Sequence, residues 1–199
     1  MGLSALSNET RVAIIAWPWG TYLGDEGLTQ GIDAKISSFS RHHVNAGMAK
    51  GKITGQYTNS VLAKRAAMAD GYKEAIMLDS QGYVSEGSGE NIFAIYKGAI
   101  HTTPYHAAIL GGITRDCIIT LAHDAGLEVK ESRMTRDFLY VCDEIFVVGT
   151  AAEVTPIRSI DRRDIGDGVP GPITKQLQAA YLDHVKGSAT THESWLTYL

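Results

Sequence analysis

Residues 91–102 read NIFAIYKGAIHT, and this stretch decides how the rest of the chain is read. Two apolar runs, Asn91–Tyr96 and Ala99–Thr102, flank the pair Lys97-Gly98. A two-residue connection ending in glycine is the signature of a tight hairpin between antiparallel strands. Working back towards the N-terminus, Ser80-Gln81-Gly82 reads as a turn and Glu74–Leu78 (EAIML) as a strand. Tyr57–Asp70 carries helical apolar spacing and stops before Gly71, a C-cap glycine. Ala34–Phe39 reads as a strand, and so does the β-branched run Arg11–Trp17 (RVAIIAW). That first run has no obvious partner nearby. Between them the loop WPWGTYLGDEG (17–27) holds Trp17, Trp19 and Tyr22, apolar bulk that a loop carries at a cost unless it packs on something or meets a ligand.

Working forward from the hairpin, Ile113–Ala125 is an amphipathic helix closed by Gly126, and Leu127–Lys130 is a strand. Thr135-Arg136-Asp137 opens a short helix. Glu144–Val148 is a strand ending at GTAA (149–152), and Pro172–Val185 is a final helix with proline in its first turn. Strands and helices are interleaved, yet the hairpins are frequent. The pattern predicts an α/β fold of the mixed α+β kind with much antiparallel pairing, not a doubly wound sheet.

Composition narrows the function classes. A net charge of −4 with no Lys/Arg run argues against a nucleic-acid partner. No apolar stretch approaches the roughly 18 residues needed to cross a bilayer, and MGLSALSNETR lacks the shape of a signal peptide. Met1-Gly2 does not continue into a myristoylation pattern, since Ser7 falls one position late. Cys117 and Cys142 fit neither a disulfide framework nor a metal pattern and read as buried, inert thiols. His42-His43 lacks metal-ligand spacing. The expected setting is reducing and cytoplasmic, with no nucleic acid, membrane or metal.

Four clusters could carry chemistry: KITGQY (52–57), SEGSGEN (85–91), GGITRD (111–116) and GTAAEVTP (149–156). Gly111-Gly112 lets the backbone approach a ligand where Ile113-Thr114 begins a helix, and the free N–H groups with the Thr114 hydroxyl suit a phosphate. The same residues also suit a plain capped helix start. Thr150 and Ala151 offer further backbone donors, or form an ordinary strand-to-turn connection. Glu86, among small residues, could meet a flat ligand edge-on and keep a ring nitrogen protonated, or sit in a surface turn. Lys52 near a phosphate and a carboxylate fits Schiff-base chemistry, although a lone lysine is usually solvated. Together, lysine, acid and anion cup are the parts that hold pyridoxal 5'-phosphate. No GxGxxG or GxxxxGK[ST] motif offers a nucleotide alternative.

These residues resemble the class IV pyridoxal-phosphate enzymes and, within them, the branched-chain amino acid aminotransferases. The resemblance runs from about Val12 to Trp195-Leu196 through AWPWGTYLG, QGIDAKISSFSR, GQYTNS, GYKEAIMLD, GYVSEGSGENIF, GGITRD and DEIFVVGTAAEVTPIRSID. It implies the D-amino acid aminotransferase-like large domain, a pseudo-barrel of mostly antiparallel strands with flanking helices. It places the Schiff-base lysine at Lys52, five residues before Tyr57, with Lys50 the nearest rival. It makes Tyr57 the partner of the cofactor's 3′ oxygen and Glu86 the partner of its ring nitrogen, supported by Glu90 and Asn91. Ile113, Thr114 and Thr150 would hold the phosphate, and Arg41 would lie near phosphate and ring. The amides of Thr150 and Ala151 would receive the substrate carboxylate. Trp19 and Tyr22 would line the substrate side-chain pocket.

SEGSGEN, GTAAE and WPWG favour the branched-chain subfamily over D-amino acid aminotransferases and aminodeoxychorismate lyases. The implied reaction is transfer of the amino group of leucine, isoleucine or valine to 2-oxoglutarate, by a homo-oligomer, dimeric or higher. The implied division is a remnant of a small N-terminal domain over 1–16, an interdomain loop over 17–30 and the cofactor-binding domain over 31–199. Most of the family's small domain, which supplies a phosphate-binding arginine and pocket residues, then lies outside this sequence. An inactive fragment acting only in binding is the alternative of a different class.

Overall fold

The computed structural model describes Ser4 and residues 6–198. Met1-Gly2, on which the myristoylation reading falls, lies outside the described residues. The elements are α1 (Asp25–Gln30), β1 (Ile32–Ile36), α2 (Tyr57–Ala69), β2 (Glu74–Leu78), β3 (Val84–Gly87), β4 (Asn91–Tyr96) and β5 (Ala99–Thr102). They continue with α3 (Ile113–Asp124), β6 (Val129–Glu131), α4 (Arg136–Leu139), β7 (Glu144–Gly149), β8 (Glu153–Ile160), β9 (Arg163–Asp164) and α5 (Pro172–Val185).

The strands form one mixed sheet in the order β3-β2-β1-β8-β7-β4-β5-β6, with β9 paired to β8. The pairings β2–β3, β4–β5, β4–β7, β7–β8 and β8–β9 are antiparallel. β1–β2, β1–β8 and β5–β6 are parallel. The fold is therefore mixed α/β with mostly antiparallel pairing. In the β4–β5 hairpin Lys97 and Gly98 both take positive φ (51° and 79°), as the two-residue turn matched to strand twist demands.

The sheet curls because one apolar cluster gathers side chains from distant strands. Ile36, Ile76 and Val84 from β1–β3 meet Ile92, Ala94, Ile145 and Val147 from β4 and β7. The alternate residues of those last two strands, Phe93, Ile95, Phe146 and Val148, face Ile118, Leu121, Leu177 and Tyr181 of α3 and α5 on the outer side. Both faces of the central strands are covered, which is why NIFAIY and EIFVVG are continuous apolar runs. Phe93 and Phe146 are cross-strand partners whose rings stack at 5.0 Å and 7°. A third cluster, Ala63, Ala67, Ala75 and Met77, seats α2 on β2.

Two expectations need correction, and one strand went unread. Arg11–Trp17 forms no strand: it runs without regular structure, and Val12, Ile14 and Trp17 are 87%, 97% and 60% exposed. β-branched propensity alone cannot make a strand without a partner to take up its backbone hydrogen bonds. The stretch after Gly149 is a strand-to-turn connection with Ala152 buried, as one reading of the sequence had it, and it leads into β8, an eight-residue strand unmarked in the sequence that joins the two halves of the sheet. Its burial does not alternate, and Pro156 inside it argues against a central strand when the sequence is read alone. SEGSGEN is no surface turn either, because Val84–Gly87 is a fully buried strand. Cys142 is buried and Cys117 half-buried, and both are free.

Candidate active site

The sheet brings four sequence-distant segments to one end of its curl. Asn91 opens β4 and pairs with Val148 near the end of β7, so 88–91 and 149–152 are neighbours. Gly87 closes β3 and donates its N–H to the Glu90 carbonyl at 2.7 Å. The loop 103–112 delivers the start of α3 to the same place, and the loop before α2 delivers Lys52.

Two cavities meet there. The smaller, about 230 Å³, is lined by Lys50, Lys52, Gly89, Asn91, Leu110 to Thr114 and Val148 to Thr150. The larger, about 740 Å³, is lined by Trp19 to Tyr22, Lys52, Tyr57, Gly89, Glu90 and Gly149 to Glu153. Lys52, Gly89, Gly149 and Thr150 border both. A Cβ built on Gly89 would meet nothing within 4 Å, so this glycine faces open cavity.

The smaller cavity is an anion cup by construction. α3 begins at Ile113 after Gly112, and no side chain caps its first turn, so the leading N–H groups stay available. Gly112 lets the cup close against Asn91: a Cβ there would lie 2.3 Å from Asn91 Oδ1. Thr114 is buried, its hydroxyl 3.5 Å from that of Tyr181, at the limit of hydrogen bonding.

Behind this cup sits a buried acid. Glu86 is 5% exposed. Its Oε1 lies 2.7 Å from Arg41 Nη2, and its Oε2 accepts from Asn91 Nδ2 at 3.0 Å and Leu110 N at 3.1 Å. Burial pushes its carboxyl up to about 7, opposed by the Arg41 guanidinium, the Leu110 N–H and Lys50. Glu86 and Arg41 do not line either cavity; Asn91, bonded to both Glu86 and the Leu110 carbonyl at 2.9 Å, stands between them and the smaller one. Arg41 also donates to Ser60 Oγ at 3.3 Å. The structure thus gives Arg41 to the acid rather than to the cup.

The two candidate lysines have different surroundings. Lys50 Nζ donates to the carbonyls of Tyr105, Ala107 and Ile109. Lys52 borders both cavities, next to Tyr57 on the larger. On that side Trp17 and Trp19 stack at 5.6 Å, and Tyr22 meets Trp19 edge-on at 6.2 Å. Burial, then Glu90 and Glu74, pushes the Tyr22 hydroxyl up to about 12.

The sequence reading did not find Glu74 and Lys64. Glu74 is fully buried, paired with Lys64, and accepts from the N–H groups of Ala75 at 2.7 Å and Ser88 at 3.3 Å. It faces Glu90, which burial and then Glu74 push up to about 8. Glu90 Oε1 has no partner among the described residues. The available signal was a carboxylate opening the apolar strand EAIML.

The sequence matches the amino-transferase class IV family over residues 2–160. The chain belongs to that family. Within it, a branched-chain-amino-acid aminotransferase of Pseudomonas aeruginosa is 53% identical over 197 residues, covering 99% of this chain and 64% of that protein. The Escherichia coli K12 protein of the same name is 46% identical over 188 residues, covering 94% and 61%. Among solved structures, the Escherichia coli branched-chain amino acid aminotransferase matches with a TM-score of 0.89 at 45% identity, over 92% of this chain and 60% of that one. The PLP-form (holo-form) of the branched-chain amino acid aminotransferase from Thermobaculum terrenum matches with a TM-score of 0.84 at 39% identity, over 90% and 58%. This class IV chain spans about three fifths of the length of these relatives. None of its described helices is long and apolar enough to cross a membrane.

Proposed function

We propose that this chain is the cofactor-binding portion of a pyridoxal-phosphate-dependent aminotransferase acting on branched-chain L-amino acids. The amino group of leucine, isoleucine or valine would pass to 2-oxoglutarate, giving branched-chain 2-oxo acids and glutamate. The observation that carries the reading is Lys52, an amine bordering both an anion-sized cavity at a helix start and a larger cavity walled by aromatic rings. The donor set fits the cofactor: a primary amine, a tyrosine hydroxyl, an uncapped helix N-terminus and, behind Asn91, a buried acid. Gly89 supports the fit, since the room a side chain would fill there is left to a ligand.

When bound, the pyridine ring accepts the electron pair left on the substrate Cα after deprotonation, a capacity no side chain has. The chain's own residues do the rest. Lys52 would hold the cofactor by its amine and, once displaced by substrate, would carry the proton from the substrate Cα to the cofactor's C4′. Ile113, Thr114 and Thr150 bind the phosphate by helix-start and loop donors. Tyr57 donates to the 3′ oxygen. Glu86, held by Asn91 and Arg41 behind the cavity wall, would favour a protonated ring nitrogen through its nearby negative charge. The N–H groups of Thr150 and Ala151 orient the substrate carboxylate. Trp19 and Tyr22 exclude water from the aliphatic side chain.

On this reading residues 1–16 end a small domain, 17–30 connect it and 31–199 hold the cofactor in a cytoplasmic homo-oligomer, dimeric or higher. The exposed apolar run Val12, Ile14, Trp17, Trp19 supports an assembly that covers it. The test, with added pyridoxal phosphate, reads glutamate formation from 2-oxoglutarate with L-leucine or D-alanine, and pyruvate release from aminodeoxychorismate. Activity with L-leucine alone is expected; preference for either rival substrate would reassign the reaction. Cofactor binding without turnover would make the chain a binding module.

A further inference from the structure

Lys50 lies two residues before Lys52, and its ammonium is engaged where the Lys52 amine borders open space. A lysine ammonium has three donors and no acceptor. Lys50 Nζ spends its donors on the carbonyls of Tyr105, Ala107 (3.1 Å) and Ile109 (2.9 Å), and it sits 4.3 Å from the Tyr105 ring centroid. These carbonyls come from alternate residues of the 103–112 loop that joins β5 to α3. Three carbonyl dipoles converging on one point repel one another unless a cation sits among them. Lys50 is the partner given to the Tyr105 and Ile109 carbonyls, and Ile109 is buried.

The far end of that loop is the candidate site. The Leu110 N–H bonds Glu86, the Leu110 carbonyl receives Asn91, and Gly112 starts α3. The rest of the loop is held elsewhere: the Tyr105 N–H donates to Glu131 at 2.7 Å, and the Ser85 hydroxyl donates to the Ala108 carbonyl at 2.8 Å. Lys50 itself borders the smaller cavity. Charged groups acting on it are Glu86, Arg115 and Glu131, and burial pulls it below the ordinary lysine range.

We infer that Lys50 is the positioning residue of the anion cup: its ammonium clamps three converging carbonyls and so presents Leu110 and the start of α3 to the phosphate end of the cofactor. The inference rests on the proposed cofactor reading for its ligand but not for the clamp itself. A carbonyl cage shaped around an ammonium keeps its preference when the side chain is removed. In Lys50→Ala the cage should therefore take up a free ammonium ion.

The test compares the full chain with Lys50→Ala in sodium chloride and in ammonium chloride at equal ionic strength. Pyridoxal phosphate affinity is read by absorbance titration, and amide hydrogen exchange over 105–112 is read without cofactor. Lys50→Ala is expected to weaken binding at least about tenfold, the scale of a lost charged hydrogen-bond set. Exchange over 105–112 should quicken, and ammonium should reverse both effects where sodium does not. Wild-type affinity and exchange in Lys50→Ala, or a loss that both salts restore equally, overturns the clamp. If the unsubstituted chain takes up no cofactor, the proposed function fails, and the exchange comparison alone still decides the clamp. Lys50→Gln, which keeps two N–H donors at similar reach, replaces the alanine variant if that does not fold; it should exchange at an intermediate rate, and a wild-type rate overturns the clamp.

Discussion

Arg41 Nη2 lies 2.7 Å from Glu86 Oε1, with the two side chains 5% and 7% exposed. Neither charge has water to fall back on. The other carboxylate oxygen accepts from Asn91 and Leu110, so both oxygens of Glu86 meet donors while Oε1, with a single partner, keeps acceptor capacity. This pair joins the loop after β1 to β3, and through Asn91 it joins both to β4. The acid that the sequence marks as a ring partner is therefore held in place before any ligand arrives.

Arg41→Met should leave Glu86 buried without its cation. The expected cost is about 3–5 kcal/mol of folding stability, the usual penalty for breaking a buried pair from one side. A urea titration measures it. A loss below about 0.5 kcal/mol would show that the guanidinium does not support the acid.

Glu90 sets a pH dependence of the opposite sense to a salt-bridged carboxylate. Its folded value, about 8, lies above its ordinary 4.5, with burial the first cause and the facing Glu74 the second; Lys64 and the Gly89 N–H oppose. The folded state then holds a proton that the unfolded state releases. The stability it contributes is complete below about pH 4.5 and is lost as pH rises through about 8. Glu86, raised to about 7 by burial, acts with the same sign. The urea midpoint should fall between pH 6 and 9, and Glu90→Gln should flatten the upper part of that fall. A midpoint that rises over this range in the unsubstituted chain contradicts the assignment.

Gly112→Ala should damage the site more than the fold. The new Cβ would meet Asn91 Oδ1 at 2.3 Å and push the amide away from Glu86 and Leu110. Pyridoxal phosphate affinity is expected to drop about tenfold or more while the melting temperature moves little. Equal cofactor affinity in the two proteins would mean that the Asn91 amide has room to spare.

Phe93→Ala tests the core. Its ring stacks on Phe146 with no exposure, beneath α3 and α5. The substitution should cost about 3–5 kcal/mol in urea unfolding. A cost under about 1 kcal/mol would mean that the helices close over the gap.

What was legible in the sequence follows from how local each signal is. The hairpin at Lys97-Gly98 and the helices from Tyr57 and Pro172 were visible because turn chemistry and capping act over a few residues. β3 and β8 were not, because small and polar residues (Ser85, Glu86, Gly87; Thr155, Pro156) break the apolar run that marks a buried strand, and their strandhood is decided by neighbours far along the chain. Arg11–Trp17 failed the other way: its residues suit a strand, but pairing needs a partner. At the site, Gly111-Gly112 ahead of a helix start pointed to the cup. The pairings Arg41–Glu86 and Glu74–Glu90 join residues separated by whole elements, and no spacing rule reports them.

The central claim is that Lys52 is the amine that takes the cofactor. The direct measurement is to add pyridoxal phosphate to the 199-residue chain, reduce with borohydride and map the modified peptide by mass. The account predicts one pyridoxyl group on Lys52, absent in Lys52→Ala and still on Lys52 in Lys50→Ala at saturating cofactor. Modification of Lys50 in the unsubstituted chain, or no defined modification at all, would contradict it.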